Sequence, residues 1–183
     1  MEPCSLPFLF LLQLHFPFLG MTLSPEIITL PTTLLAGQSV ETTMATQIPA
    51  TIALWKQFAP RKKEISQAVN PAESYSLAQY LEPPKPDGSN KLIKWAAIAI
   101  SASDNLPKGL QTLIIEEGLY AKFTFKGLGT TFPAAMQRFH TEWLPNSDFI
   151  LRPGLHFELL DHRYLGLDNP ESQEDIYIPV SPK

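Results

Sequence analysis

Two stretches of the chain carry the same punctuation 84 residues apart, and this repeat limits the fold more than any other feature. With Pro49 set on Pro133, Thr46 meets Thr130, Ile48 meets Phe132, Ala50 meets Ala134 and Ile52 meets Met136. Each stretch places proline in a first helical turn, where its missing N–H costs nothing. Each carries a tryptophan late in the run, Trp55 and Trp143, and each ends on a proline, Pro60 and Pro145, that should stop the helix. The apolar stripe of the first helix is Ile48, Ile52, Trp55 and Phe58, that of the second Met136, Phe139 and Trp143, and both are expected in the core. Thr46 or Gln47, and Thr130 or Thr131, stand where caps belong. An extended run precedes each helix: Leu35–Thr43 in the first copy and Tyr120–Phe125 in the second, where Phe123 and Phe125 share a face.

Each helix is followed by two strand patterns. In the first copy, residues 75–80 and 92–100 flank the proline-rich loop 82–90 and form a hairpin with a long connection. In the second, residues 155–160 and 175–180 flank the Asn169-Pro170 loop. The reading is an α+β fold of two tandem strand–helix–strand–strand modules, about 25–101 and 110–182, with pseudo-twofold symmetry. One antiparallel sheet carries both main helices on one face, and a cleft is expected where the halves meet.

Composition narrows the function classes. A net charge of −4 and a pI near 5.5 argue against direct DNA binding, since Arg61-Lys62-Lys63 is the only basic cluster and sits at a helix end that favours cations. The single cysteine, Cys4, allows no intrachain disulfide. The four histidines, His15, His140, His156 and His162, match no zinc spacing, and no nucleotide loop or nucleophile elbow occurs, so no metal and no cofactor is expected. Residues 1–20 are strongly apolar but lack a basic n-region and are broken by Pro7 and Pro17. They read as an over-extended start or a poorly ordered leader, with the domain beginning at Met21. A membrane span is not expected, and a cytoplasmic location is preferred over export.

Across residues 24–182 the chain resembles the GyrI-like effector-binding domain. That domain is shared by gyrase-inhibitory proteins, the ligand domains of AraC- and MerR-type drug-responsive regulators, and integron-cassette effector-binding proteins. The residues that carry the resemblance are Leu54-Trp55 through Ile65, Lys94-Trp95-Ala96-Ala97, Gly118 through Phe123, Trp143 through Ser147, His156-Phe157-Glu158, and Pro170 through Pro179. Tyr177 stands where relatives often have tryptophan and Phe149 where tyrosine is common, and Pro153 is spaced differently before His156; these departures bear on pocket shape. The length leaves no room for the helix-turn-helix domain of such regulators, so a stand-alone ligand domain is expected.

Glu158 is the first candidate site residue. It shares a strand face with His156 and Leu160, and a carboxylate so flanked is costly to bury without a cation, a donor or a proton. The resemblance implies that this Glu is an acidic pocket residue. Trp55, Trp95, Tyr120, Phe123, Trp143 and Tyr177 are the aromatics that could hold a planar or cationic ligand, two or three of them by direct contact. Glu174 is a further acidic candidate, in a run, Glu171–Asp175, that looks solvated. The expected partner is a lipophilic, aromatic or cationic small molecule, sensed or sequestered. The resemblance also admits a hydrolase of cyclopropane-containing toxins, with Glu158 as the catalytic carboxylate, or a gyrase-protecting module that binds a protein.

Overall fold

The computed structural model describes residues 24–83 and 85–183. The expected leader, 1–20, lies outside the described residues. Nine strands and two main helices follow in the order β1 (Glu26–Leu30), β2 (Thr33–Thr43), α1 (Gln47–Phe58), β3 (Ser74–Tyr80), β4 (Lys91–Ala99), β5 (Gln111–Ile115), β6 (Gly118–Lys126), α2 (Phe132–Arg138), β7 (Phe149–Leu151), β8 (His156–Leu160) and β9 (Gln173–Pro182).

All strand pairs are antiparallel, in the sheet order β1-β6-β9-β8-β3-β4-β2-β5, with β7 also on β9. The order reads the same from either edge once β1 is exchanged for β5, β2 for β6, β3 for β8 and β4 for β9. The repeat seen in the sequence is therefore a repeat of topology. The modules join through the β3–β8 pair at the centre, and each lends an edge strand to the other: β1 pairs β6, and β5 pairs β2.

Residues opposite each other on neighbouring strands share a sheet face. Ala96 pairs Ser76, Ser76 pairs Glu158, Glu158 pairs Ile176, and Ile176 pairs Phe123. This rung runs from beneath α1 to beneath α2. Leu54 and Phe58 of α1 pack on Ala36, Ala96 and Ile98. Ala135 of α2, with Phe139 just beyond it, packs on Ala121, Phe123, Phe125, Ile176 and Ile178. Both helices thus cover one face over its two flanks, and the central β3–β8 pair between them is left without a roof. The opposite face carries its own cluster, including Leu35, Leu77, Ala97, Ile115, Tyr120, Phe157 and Tyr177.

The helix ends differ from expectation. Thr46 is at the N-cap position of α1 but makes no cap bond; its hydroxyl meets those of Thr42 and Thr43 at 2.9 Å each. Thr131 precedes α2, yet its hydroxyl donates back to the Leu128 carbonyl at 2.8 Å. Neither Pro60 nor Pro145 ends its helix outright. Pro60 opens a 3-10 extension, Ala59–Glu64. After α2 the chain widens into a π-helical segment, Phe139–Trp143, and makes one more turn, Leu144–Asn146. A proline in the first turn of a renewed segment has no hydrogen bond to forfeit.

Candidate ligand-binding cleft

The depth of the cleft is a matter of side-chain size. β3 alternates Ser74, Ser76 and Ala78 on the helix face with Tyr75 and Leu77 on the other. Small residues at the centre of the sheet, between helices seated on its flanks, open a cavity that runs on past Leu113 and Leu155; its whole volume is about 2120 Å³. That exceeds the ~300–1,000 Å³ of an ordinary small-molecule site, as suits an open groove.

The walls come from both modules. On the α1 side stand Ile48, Ile52 and Trp55; on the α2 side Phe132, Met136 and His140. The expected core stripe of α1 is in fact split. Phe58 is buried, with Leu54 beside it, but Ile48 is 59% exposed and Ile52 38%. An exposed isoleucine pair one turn apart, facing a cavity, gives the wall an apolar surface.

The floor carries the charge. Glu158 reaches it from β8, Glu174 from β9 and Lys94 from β4. Lys94 pairs Ala78, so its side chain extends over the small residues of β3 to bring Nζ within 3.9 Å of Glu158 Oε1. The Lys94 side chain is only 7% exposed, that of Glu158 22%. Burial raises the Glu174 carboxyl to about 8, with the Glu158 carboxylate adding to the rise and Lys94 opposing it. Near neutral pH Glu174 therefore holds its proton. Beside them, burial lowers His156 to about 4, helped by His140 and Lys94, so its imidazole is neutral. Its Nδ1 has no partner among the described residues, and its ring meets Tyr80 edge-on at 5.0 Å.

Adjacent residues on β9 show how strongly local partners decide ionisation. Burial acts to raise Asp175 as well, but Arg163 at 2.9 Å, Thr124 at 2.7 Å and Lys122 at 3.6 Å hold it below the usual carboxylate range. Asp175 points to the far face, where cations and a hydroxyl meet it. Glu174 points to the cleft, where another carboxylate does.

Of the candidates named from sequence, the structure brings Glu158, Glu174 and Trp55 together at the cleft. Four aromatics lie elsewhere, and a fifth, Trp95, only borders the cavity. Tyr177 is stacked on Phe157 at 4.5 Å on the far face, and Tyr120 is buried there with its hydroxyl donating to the Glu116 carbonyl. Trp95 also packs on the far-face cluster, with part of it bordering the cavity where that extends past Leu113 and Leu155. Phe123 is on the helix face but is roofed by Phe139, stacked 5.6 Å above it; Trp143 stacks on Phe139 in turn at 5.0 Å. The Glu171–Asp175 run is solvated only at its start, where Glu171 is exposed. Ser172, Glu174 and Asp175 are all buried, because β9 lies between β6 and β8. Lys94 was missed, although a lysine between Leu92 and Ala96 on one strand face was a visible signal.

Among the described residues no cluster of ligating side chains could hold a metal ion, and no helix is long and apolar enough to cross a membrane. The chain is 28% identical over 127 residues to the transcriptional regulator BrlR of Pseudomonas aeruginosa; the match takes in 69% of this chain and 45% of that protein, so the chain spans less than half of its relative. SAV2435, solved bound to tetraphenylphosphonium, has the same fold with a TM-score of 0.63 at 17% identity, over 86% of this chain and 94% of that one. The C-terminal domain of EcmrR aligns with a TM-score of 0.62 at 14% identity, over 89% of this chain and all of its own. With residues 23–181 matching the GyrI-like small molecule binding domain, the chain belongs to that family.

Proposed function

We propose that the cleft between α1 and α2 is a receptor site for lipophilic aromatic compounds, cations among them, which the protein senses or sequesters. The observation that carries this reading is the pairing of an apolar wall left open to solvent, Ile48, Ile52, Trp55 and Met136, with two carboxyl groups on the floor beneath it, Glu158 and Glu174. Aromatic and aliphatic walls supply the non-directional part of the affinity, and the floor fixes orientation and charge. Tetraphenylphosphonium in SAV2435 is a compound of this class.

The test is an equilibrium titration followed by tryptophan fluorescence, with tetraphenylphosphonium and with neutral triphenylphosphine oxide. Saturable one-site binding of at least one of them, with a change in Trp55 emission that is lost in Trp55→Phe, is the expected result. No saturable binding of either up to its solubility limit refutes the proposal.

A further inference from the structure

We propose that Lys94 is the specificity-determining residue of the cleft: a resident ammonium that neutralises Glu158 and turns the site against lipophilic cations, in favour of neutral or anionic ligands of the same shape. The inference rests on the receptor reading above and names the ligand charge that the receptor prefers.

A carboxylate at the base of an aromatic cleft attracts cations only while its charge is unspent. Here Glu158 faces the Lys94 ammonium at 3.9 Å, and no other carboxylate among the described residues lies within 4.0 Å of Lys94. The ammonium belongs to the site by construction. Its side chain is almost fully buried, and it crosses β3 where the residues beneath it are Ala78 and Ser76. A larger side chain at either position would block that reach.

The remaining groups nearest the pair add no negative charge to the floor. Glu174 on β9 is protonated near neutral pH, and His156 on β8 is neutral. Burial lowers His140, beyond α2, and raises Tyr80, at the end of β3, so neither adds a charge near neutral pH. Lys62, beyond α1, donates to Ser74 Oγ at 2.7 Å and adds a second ammonium at the edge of the floor. Farther out along the cavity, Glu82 is paired with Lys85 and Asp161 with Arg163, while Glu116 and Asp168 stand at its rim. A permanent cation seated on the floor itself meets the two ammonium groups, with Glu158 the carboxylate that faces Lys94.

At 3.9 Å the Lys94–Glu158 contact is electrostatic and too long for a hydrogen bond. The N–H groups of Lys94 are therefore not used up by Glu158, and an acceptor on a ligand can take one. Neutral compounds with a carbonyl, phosphoryl or ether oxygen beside an aromatic body fit that description, as do lipophilic anions.

Tetraphenylphosphonium and tetraphenylborate share size and shape and differ in the sign of their charge, so the ratio of their dissociation constants isolates the electrostatics of the floor. The ratio, phosphonium over borate, is to be measured calorimetrically at pH 7 for the full chain, for Lys94→Met and for Glu158→Gln. Removing the resident cation should lower the ratio by at least about tenfold, and removing its counter-charge should raise it by at least about tenfold, because each changes the net charge at contact distance by one. A folded Lys94→Met whose ratio stays within about threefold of the parent overturns the assignment, as does one that binds neither isostere when the parent binds. If Lys94→Met does not fold, Glu158→Gln decides by the same criterion. Failure of all three proteins to bind either isostere overturns the assignment, and failure to bind triphenylphosphine oxide as well overturns the receptor reading itself.

Discussion

Glu174→Gln exchanges a buried carboxyl for an amide of the same size and so exposes how much the fold gives up by keeping that group in the cleft. Its ordinary value of 4.5 is raised to about 8 in the folded protein, mainly by burial and then by the Glu158 carboxylate. Between those values the folded state holds a proton that the unfolded chain has released. Stability linked to Glu174 is therefore complete below about pH 4.5 and is lost as pH rises through 8. Each unit of displacement is worth about 1.4 kcal/mol, so the full span amounts to roughly 3–5 kcal/mol, the lower figure allowing for water in the open cleft. Glutamine does not titrate, and every other group is common to the two proteins. The assay is urea unfolding of both at pH 5, 6, 7, 8 and 9, taking the difference in unfolding free energy at each pH. The variant should gain on the parent by up to about 1.4 kcal/mol per unit from pH 5 to 8, and the difference should level off above that. Parallel profiles across the whole range would refute the assignment of a protonated Glu174 at neutral pH.

The same ionisation should appear in binding: tetraphenylphosphonium affinity should rise by up to about tenfold per pH unit toward pH 8 and then flatten, while triphenylphosphine oxide shows no such slope, as titrations at fixed ionic strength will register. Ile52→Ser removes exposed apolar surface from the cleft wall, so it should weaken either ligand several-fold while changing stability by no more than about 0.5 kcal/mol. Phe139→Ala removes the roof over Phe123 at a fully buried position, and urea unfolding should show a loss of about 3–5 kcal/mol.

Much of the fold was legible in the sequence because proline, tryptophan and strand alternation are local signals. The Pro49–Pro133 correspondence located both helices, and the two strands after each helix followed from their turn-bounded patterns. The exchange of β1 and β5 between modules was not legible, since no residue in either five-residue strand names its partner. The site was half legible. Glu158 stood out because its strand neighbours are apolar, and its place on the floor follows from the pairing of Ser76 with Glu158. Glu174 looked solvated because its sequence neighbours are polar; burial came from the position of β9 between two other strands. Tyr120 and Tyr177 were aromatic enough for a pocket, but the register turns both to the far face. Lys94 reaches Glu158 across a strand to which neither belongs, through the space that Ser76 and Ala78 leave. The α1 stripe misled in the opposite sense: Ile48 and Ile52 sit at core spacing but stand outside the cluster under α1 and line the cavity instead.

The central claim is that the ligand occupies the helix-side cleft over Glu158, and methyl-resolved NMR tests it most directly. With isoleucine, leucine and methionine methyls labelled, addition of tetraphenylphosphonium or triphenylphosphine oxide should shift the Ile48, Ile52 and Met136 signals along saturating curves with one common dissociation constant. Leu77, on the far side of the same sheet and fully buried, should stay where it is. Saturating shifts centred on Leu35, Leu77 and Ile115, with the α1 and α2 methyls unmoved, would place the ligand on the far face and contradict the account.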